Sequence, residues 1–79
     1  MKLLVRNLSR STTEQELRIL FTAHGKVNEC NLVLDQVTGK SKGFAFVEMP
    51  YEAEAKKAMA ALHEVRIAKN RIRVKLAQS

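Results

Sequence analysis

Phe44 and Phe46, two residues apart, lie between Lys42 and Glu48 in the run Lys42-Gly43-Phe44-Ala45-Phe46-Val47-Glu48-Met49. Successive side chains of a strand point to opposite faces. Extended, this run puts Phe44, Phe46 and Glu48 on one face and Ala45, Val47 and Met49 on the other. A soluble strand ordinarily sends its bulkiest apolar groups inward, whereas here the larger pair shares a face with a carboxylate and follows a lysine. Flat rings beside charge suit a surface that stacks planar bases and holds an anionic backbone, because every base offers a π face to an aromatic side chain. Bond-making chemistry has no such signal. No Ser/His/Asp set, paired-carboxylate site or metal-ligand cluster stands out, so no catalytic residue, metal ligand or cofactor is assigned.

The elements that must position these residues follow from periodicity. Lys2 to Asn7 alternates as a strand, with Leu3 and Val5 on one side and Lys2, Leu4 and Arg6 on the other. Thr13-Glu14-Gln15-Glu16 reads as a capping box that starts a helix. Leu17, Leu20, Phe21 and His24 continue it as one apolar stripe, and Gly25 is expected to end it in a left-handed conformation. Val27 to Leu34 is a second strand with Cys30 and Leu32 inward and Asn31 and Val33 outward. The segment from Asp35 to Ser41 carries turn chemistry in Asp35 and Gly39. The octamer is strand three, and Pro50 ends it. Ala55, Ala58, Met59 and Leu62 mark a second helix, with Glu52 and Glu54 at the end where the helix dipole favours acids. A tight turn is expected at Lys69-Asn70, with Asn70 taking positive φ. Ile72, Val74 and Leu76 then form an apolar row opposite Arg71, Arg73, Lys75 and Ala77.

The order is β-α-β-β-α-β. Both helices can cover one face of a four-stranded sheet, and nothing in the order is left to cover the other. At 79 residues the chain reads as a single domain spanning 1–79. Lys and Arg number 14 against 8 Asp and Glu, a formal charge of +6 that favours a polyanionic partner. Cys30 is the only cysteine, which excludes an intrachain disulfide and fits a buried thiol in a reducing compartment. No apolar stretch approaches membrane-spanning length, and Met1-Lys2-Leu3-Leu4-Val5-Arg6 meets charge too early for a secretory signal. The expectation is a soluble intracellular protein with no membrane partner.

The octamer fits the signature Lys/Arg-Gly-Phe/Tyr-Gly/Ala-Phe-Val-x-Phe/Tyr at seven of eight positions, Met49 alone departing. With the element order, it makes the whole chain resemble the RNA recognition motif family. Leu3-Leu4-Val5-Arg6-Asn7-Leu8 stands where that family has its second signature, and Asp35-Gln36-Val37-Thr38-Gly39 is similar to its turn before strand three. The resemblance implies an α+β, ferredoxin-like fold: a four-stranded antiparallel sheet with two helices on one face and strands one and three at its centre. It also implies single-stranded RNA binding on the open face. Phe46 then serves as the base-stacking platform, Phe44 packs against a sugar or between nucleotides, and Lys42 meets a phosphate. Arg6, Asn31, Glu48, Arg73 and Lys75 read base edges or hold the backbone, and Ala77 and Gln78 hold a base through main-chain groups. Leu4 departs from the family, which usually has an aromatic ring there. Part of the roughly 1–3 kcal/mol that one stacked base contributes is therefore missing.

The implied activity is that of a non-enzymatic, monomeric RNA-binding module. It is cytoplasmic, or nuclear or organellar if eukaryotic, acts in post-transcriptional regulation or RNA processing, and tolerates single-stranded DNA in vitro. The rival readings are a protein-interaction module and an enzyme. In the first, Phe44 and Phe46 form a homodimer interface or the helical face takes a peptide; Val65-Arg66-Ile67-Ala68 lacks the aromatic that the peptide mode uses. An acyl phosphatase would need a glycine in Arg6-Asn7-Leu8-Ser9-Arg10-Ser11, and a copper carrier would need a second cysteine.

Overall fold

The computed structural model of the chain describes residues 1–77. Its elements are β1 (Lys2–Arg6), α1 (Glu14–Thr22), β2 (Glu29–Leu34), β3 (Ser41–Glu48), α2 (Glu52–Leu62), β4 (Arg66–Ile67), β5 (Asn70–Arg71) and β6 (Arg73–Leu76). Four strands form an antiparallel sheet in the order β2-β3-β1-β6, and β4 and β5 form a separate small hairpin. One sheet face supplies Leu3, Val5, Cys30, Ala45, Val47 and Val74 to the core, where they meet Leu17 and Phe21 of α1 and Ala55, Ala58 and Leu62 of α2. Helices of nine and eleven residues carry this stripe. None among the described residues is long and apolar enough to cross a membrane.

Local chemistry starts and stops the elements. The Thr13 hydroxyl accepts from the Glu16 N–H at 3.2 Å, and the Glu16 carboxylate accepts from the Thr13 N–H at 2.8 Å. The Thr13 N–H, and after it the Thr13 hydroxyl, which donates to the same carboxylate at 3.0 Å, hold Glu16 below the usual carboxylate range. Gly25 does not take the left-handed conformation expected of it; among the described glycines only Gly39 and Gly43 have positive φ. The helix ends at Thr22, before His24, and the chain leaves through right-handed Ala23. Gly25 is small for a packing reason. A Cβ there would stand 2.5 Å from Glu54 Cβ, and Glu54 also accepts the Lys26 N–H at 2.8 Å. The glycine thus lets the end of α1 touch the start of α2.

Both free sheet edges are partly closed by side chains from the helices, which blunts them as templates for a further strand. Glu14 accepts the Leu32 N–H on β2 at 2.8 Å, and His63 Nδ1 accepts the Val74 N–H on β6 at 3.0 Å.

Three further expectations are corrected. Strand two begins at Glu29 rather than Val27, although Val27 still packs against the core. The turn before the last strand sits one residue earlier, with positive φ at Ala68 (50°) and Lys69 (72°) and not at Asn70. Asn70 instead pairs with Ile67 and donates its side-chain amide to the Asn7 carbonyl at 3.2 Å. The third correction is Leu76, which is 49% exposed. It has the same parity as buried Val74, but it ends the edge strand, where the core cluster no longer reaches.

Candidate nucleic-acid interface

Register brings the expected residues together in rows across the uncovered face. Asn31 faces Phe46, Phe46 faces Leu4, and Leu4 faces Lys75, so one row crosses β2, β3, β1 and β6. On one side of it, Arg6 stands opposite Arg73. On the other, Glu29 stands opposite Glu48, and Glu48 opposite Lys2. Phe44 and Phe46 are half-buried and meet edge to face, with ring centroids 6.2 Å apart and planes at 85°. This T-shaped contact fixes both rings and leaves part of each exposed.

The charged groups around the rings differ in their partners. Among the described residues, Arg6, Lys42, Arg73 and Lys75 form no ion pair, so their charge is not neutralised within the chain. Arg6, Asn7 and Arg73 line a cleft of about 330 Å³. Leu4, Phe46, Lys75, Leu76 and Ala77 line a second of about 600 Å³. The Ala77 N–H is spent on the Lys2 carbonyl at 2.9 Å. Gln78 lies outside the described residues. Lys42 is exposed at the entry to β3, near Asp35, whose carboxylate is held below its ordinary value mainly by the N–H groups of Thr38 and Val37, with Lys42 adding to it.

Four contributors were not singled out from sequence. Lys2 places its ammonium over the Phe46 ring, 5.7 Å from the centroid, a cation–π contact that only register reveals. Glu29 joins Glu48 through the β2–β3 pairing. Asn7 (φ 60°) donates its side-chain amide to the Arg71 carbonyl at 2.8 Å, tying the end of β1 to the small hairpin. Arg10 lies against Gly43, at φ 84°, where a Cβ would collide with its guanidinium and approach the Leu8 carbonyl to 3.2 Å. Alternation had already placed Lys2 on this face, and Glu29 shares the parity of Asn31; the partners of both depended on strand pairing. Nothing in the sequence signals Arg10, because its contact depends on the loop path.

Taken together, the arrangement offers one apolar, partly aromatic strip flanked by free cations on one side and carboxylates on the other. It holds no nucleophile–base pair, and no group of metal-binding side chains occurs among the described residues.

Comparison with known proteins gives the same picture. The profile of the RNA recognition motif matches residues 3–73. Glycine-rich RNA-binding protein 1 of Mycosarcoma maydis is 41% identical over 78 residues, covering 99% of this chain and 45% of its own. The sex-lethal protein of Drosophila melanogaster is 34% identical over 76 residues, 96% of this chain and 22% of its own. The chain thus spans less than half the length of these relatives. Among solved structures, the crystal structure of RNA binding protein PG1 superposes with a TM-score of 0.96 at 33% identity, covering 100% of this chain and 95% of that one. A sex-lethal protein/RNA complex superposes with a TM-score of 0.95 at 33% identity, covering 99% and 47%.

Proposed function

Since the chain belongs to the RNA recognition motif family, we propose that it binds single-stranded RNA on the uncovered face of its sheet. The observation that carries this is the row Asn31–Phe46–Leu4–Lys75, beside Phe44 and an Arg6–Arg73 pair with no counter-ion among the described residues. Phe46 stacks one base, and Phe44, held edge-on to it, packs against a sugar or a neighbouring nucleotide. Leu4 gives apolar contact without a ring. Arg6, Arg73, Lys75 and Lys42 meet phosphates, which position the strand without reading its sequence. Asn31 and Glu48 face base edges, and the family resemblance gives main-chain groups of Ala77 and Gln78 the role of holding a base. The related Drosophila protein in complex with RNA supports this reading.

The module acts as a monomer without catalysis or cofactor, in the cytoplasm, in RNA processing or post-transcriptional regulation; single-stranded DNA is a second ligand in vitro. Titration of labelled single-stranded RNA by fluorescence anisotropy at several salt concentrations tests the binding. With two or three phosphates neutralised, the log–log salt slope is about −1.4 to −2. Arg73→Ala should make that slope shallower by about 0.7. An apolar dimer through Phe44 and Phe46 predicts the reverse: self-association in sedimentation that survives high salt, with no affinity for RNA.

A further inference from the structure

The end of the open face beside Phe46 is rich in acceptors: two carboxylates meet there, and among the described residues their one ion-pair partner is the Met1 ammonium, 3.8 Å from Glu48 Oε1. Glu29 and Glu48 are directly opposed across the β2–β3 pairing, a like-charge arrangement that destabilises a sheet. Lys2 is the residue opposite Glu48 on the other side, yet it makes no ion pair with it and lies over the Phe46 ring instead. One Glu48 oxygen, Oε2, is buried with no hydrogen-bond partner. Asn31 turns its amide nitrogen toward Glu29 Oε2, at 3.5 Å, which leaves its carbonyl oxygen as the group it can offer a ligand. An ionised carboxylate only accepts, and an acceptor left without a donor carries a desolvation cost that a bound donor removes.

From this we infer that the position on Phe46 selects a base by its donors: guanine first, then the other bases with an exocyclic amino group, and uracil last. The inference rests on the single-stranded RNA reading and sharpens it. An unpaired base stacked on Phe46 presents its Watson–Crick edge outward from the ring. On that edge guanine carries two adjacent donors, N1–H and the N2 amino group, one for the unpartnered Glu48 Oε2 and one for Oε1, whose 3.8 Å approach to the Met1 ammonium is too long for a hydrogen bond. Cytosine and adenine carry one amino donor each, flanked by a ring-nitrogen acceptor. Uracil has a single N3–H between two carbonyl oxygens, which the carboxylates repel. The last torsion of a glutamate is broad and roughly two-fold, so a small rotation brings the orphaned Oε2 of Glu48 toward such an edge. Lys2, displaced from the ring by the base, remains close to the phosphates on that side.

The test is anisotropy titration of four labelled heptamers, UUUXUUU with X as G, A, C or U, against the wild-type chain and Glu48→Gln. A well-placed bidentate contact discriminates by roughly fivefold or more. The expected order is therefore G tightest and U weakest, by about that factor. Glu48→Gln replaces one acceptor by a donor and should collapse the G-to-U ratio toward one, with an unchanged melting temperature showing that the fold is intact. Equal affinity for all four heptamers, a preference for U, or a G preference that survives Glu48→Gln overturns the inference and leaves RNA binding standing. Failure to bind any heptamer at low salt overturns both.

Discussion

Leu4 lies directly across the β1–β3 pairing from Phe46 and, on its other side, directly across from Lys75. The position that has no ring is thus at the middle of the open face, between the Phe46 ring and the Lys75 side chain. Its replacement by an aromatic is the most direct way to alter affinity without touching the core, because Leu4 is only half-buried while its neighbours Leu3 and Val5 are fully so.

Leu4→Tyr is expected to tighten single-stranded RNA binding, and Phe46→Ala to weaken it by about 1–3 kcal/mol, the range for one stacked base. The melting temperature should move little in either case. Paired anisotropy and thermal-melt measurements check this. Two variants that both bind like the wild type would show that bases do not stack on this row.

Gly25→Ala is expected to destabilise the chain by about 1–3 kcal/mol, the usual cost of overpacking a tight contact. The added methyl would fall 2.5 Å from Glu54 Cβ, where α1 ends against the start of α2. That junction lies on the helical side, so RNA affinity below the melting range should be retained. Urea unfolding gives the first quantity and anisotropy the second; an unchanged urea midpoint would mean that the two helices are not so closely joined in solution.

This glycine also marks where the sequence is legible and where it is not. Element order, the capping box at Thr13 and Glu16, and the separation of Phe44 and Phe46 from Ala45 and Val47 all depend on local periodicity, which any stretch of the sequence displays. Gly25 looked like a helix terminator because glycine often is one; its real constraint is Glu54, twenty-nine residues away. Leu76 looked buried from its parity with Ile72 and Val74, but parity gives the face of a strand and not how far the helices extend over it. Lys2 over Phe46 and Glu29 against Glu48 likewise came from register, a long-range quantity. The small hairpin moved by one residue because the composition favoured Asn70 for positive φ, while the pairing Ile67–Asn70 requires Ala68 and Lys69 to take it.

Burial pushes the Cys30 thiol up, and the nearby Glu14 carboxylate pushes the same way against a smaller opposing effect of Arg18. The thiol also donates weakly to the Glu14 carbonyl at 3.7 Å. A folded value above the unfolded one means that the native state keeps its proton longer. Its stabilising contribution is complete below the unfolded value of about 8.5 and is lost as pH rises through the folded value. Wild-type urea midpoints should therefore fall between neutral pH and pH 10 more steeply than those of Cys30→Ala, which has no thiol to ionise. Native Cys30 should also react slowly with a thiol reagent at pH 8 and quickly in urea. Parallel midpoint curves for the two proteins would contradict the burial argument.

The hairpin gives the last prediction. Arg66 pairs with Arg71 and Ile67 with Asn70, which leaves Ala68 and Lys69 as a two-residue loop at φ 50° and 72°. With both central residues left-handed the loop is of the type I′ kind, whose twist matches that of the strands and whose favoured pair is Asn-Gly. Each ordinary residue in that conformation costs about 1–2 kcal/mol. Glycine avoids the strain but gives back about 0.4–1 kcal/mol in unfolded-chain entropy. Lys69→Gly should therefore stabilise the protein by about 0.5–1 kcal/mol, raising its melting temperature by roughly 2–8 °C. Ala68→Pro, which locks φ near −65°, should open the hairpin and loosen Ile67 from the core it packs against. Calorimetry of the two variants beside the wild type decides the point. A lower melting temperature for Lys69→Gly would mean that Lys69 is not left-handed in solution and that the two-residue loop at Ala68 and Lys69 does not form as described.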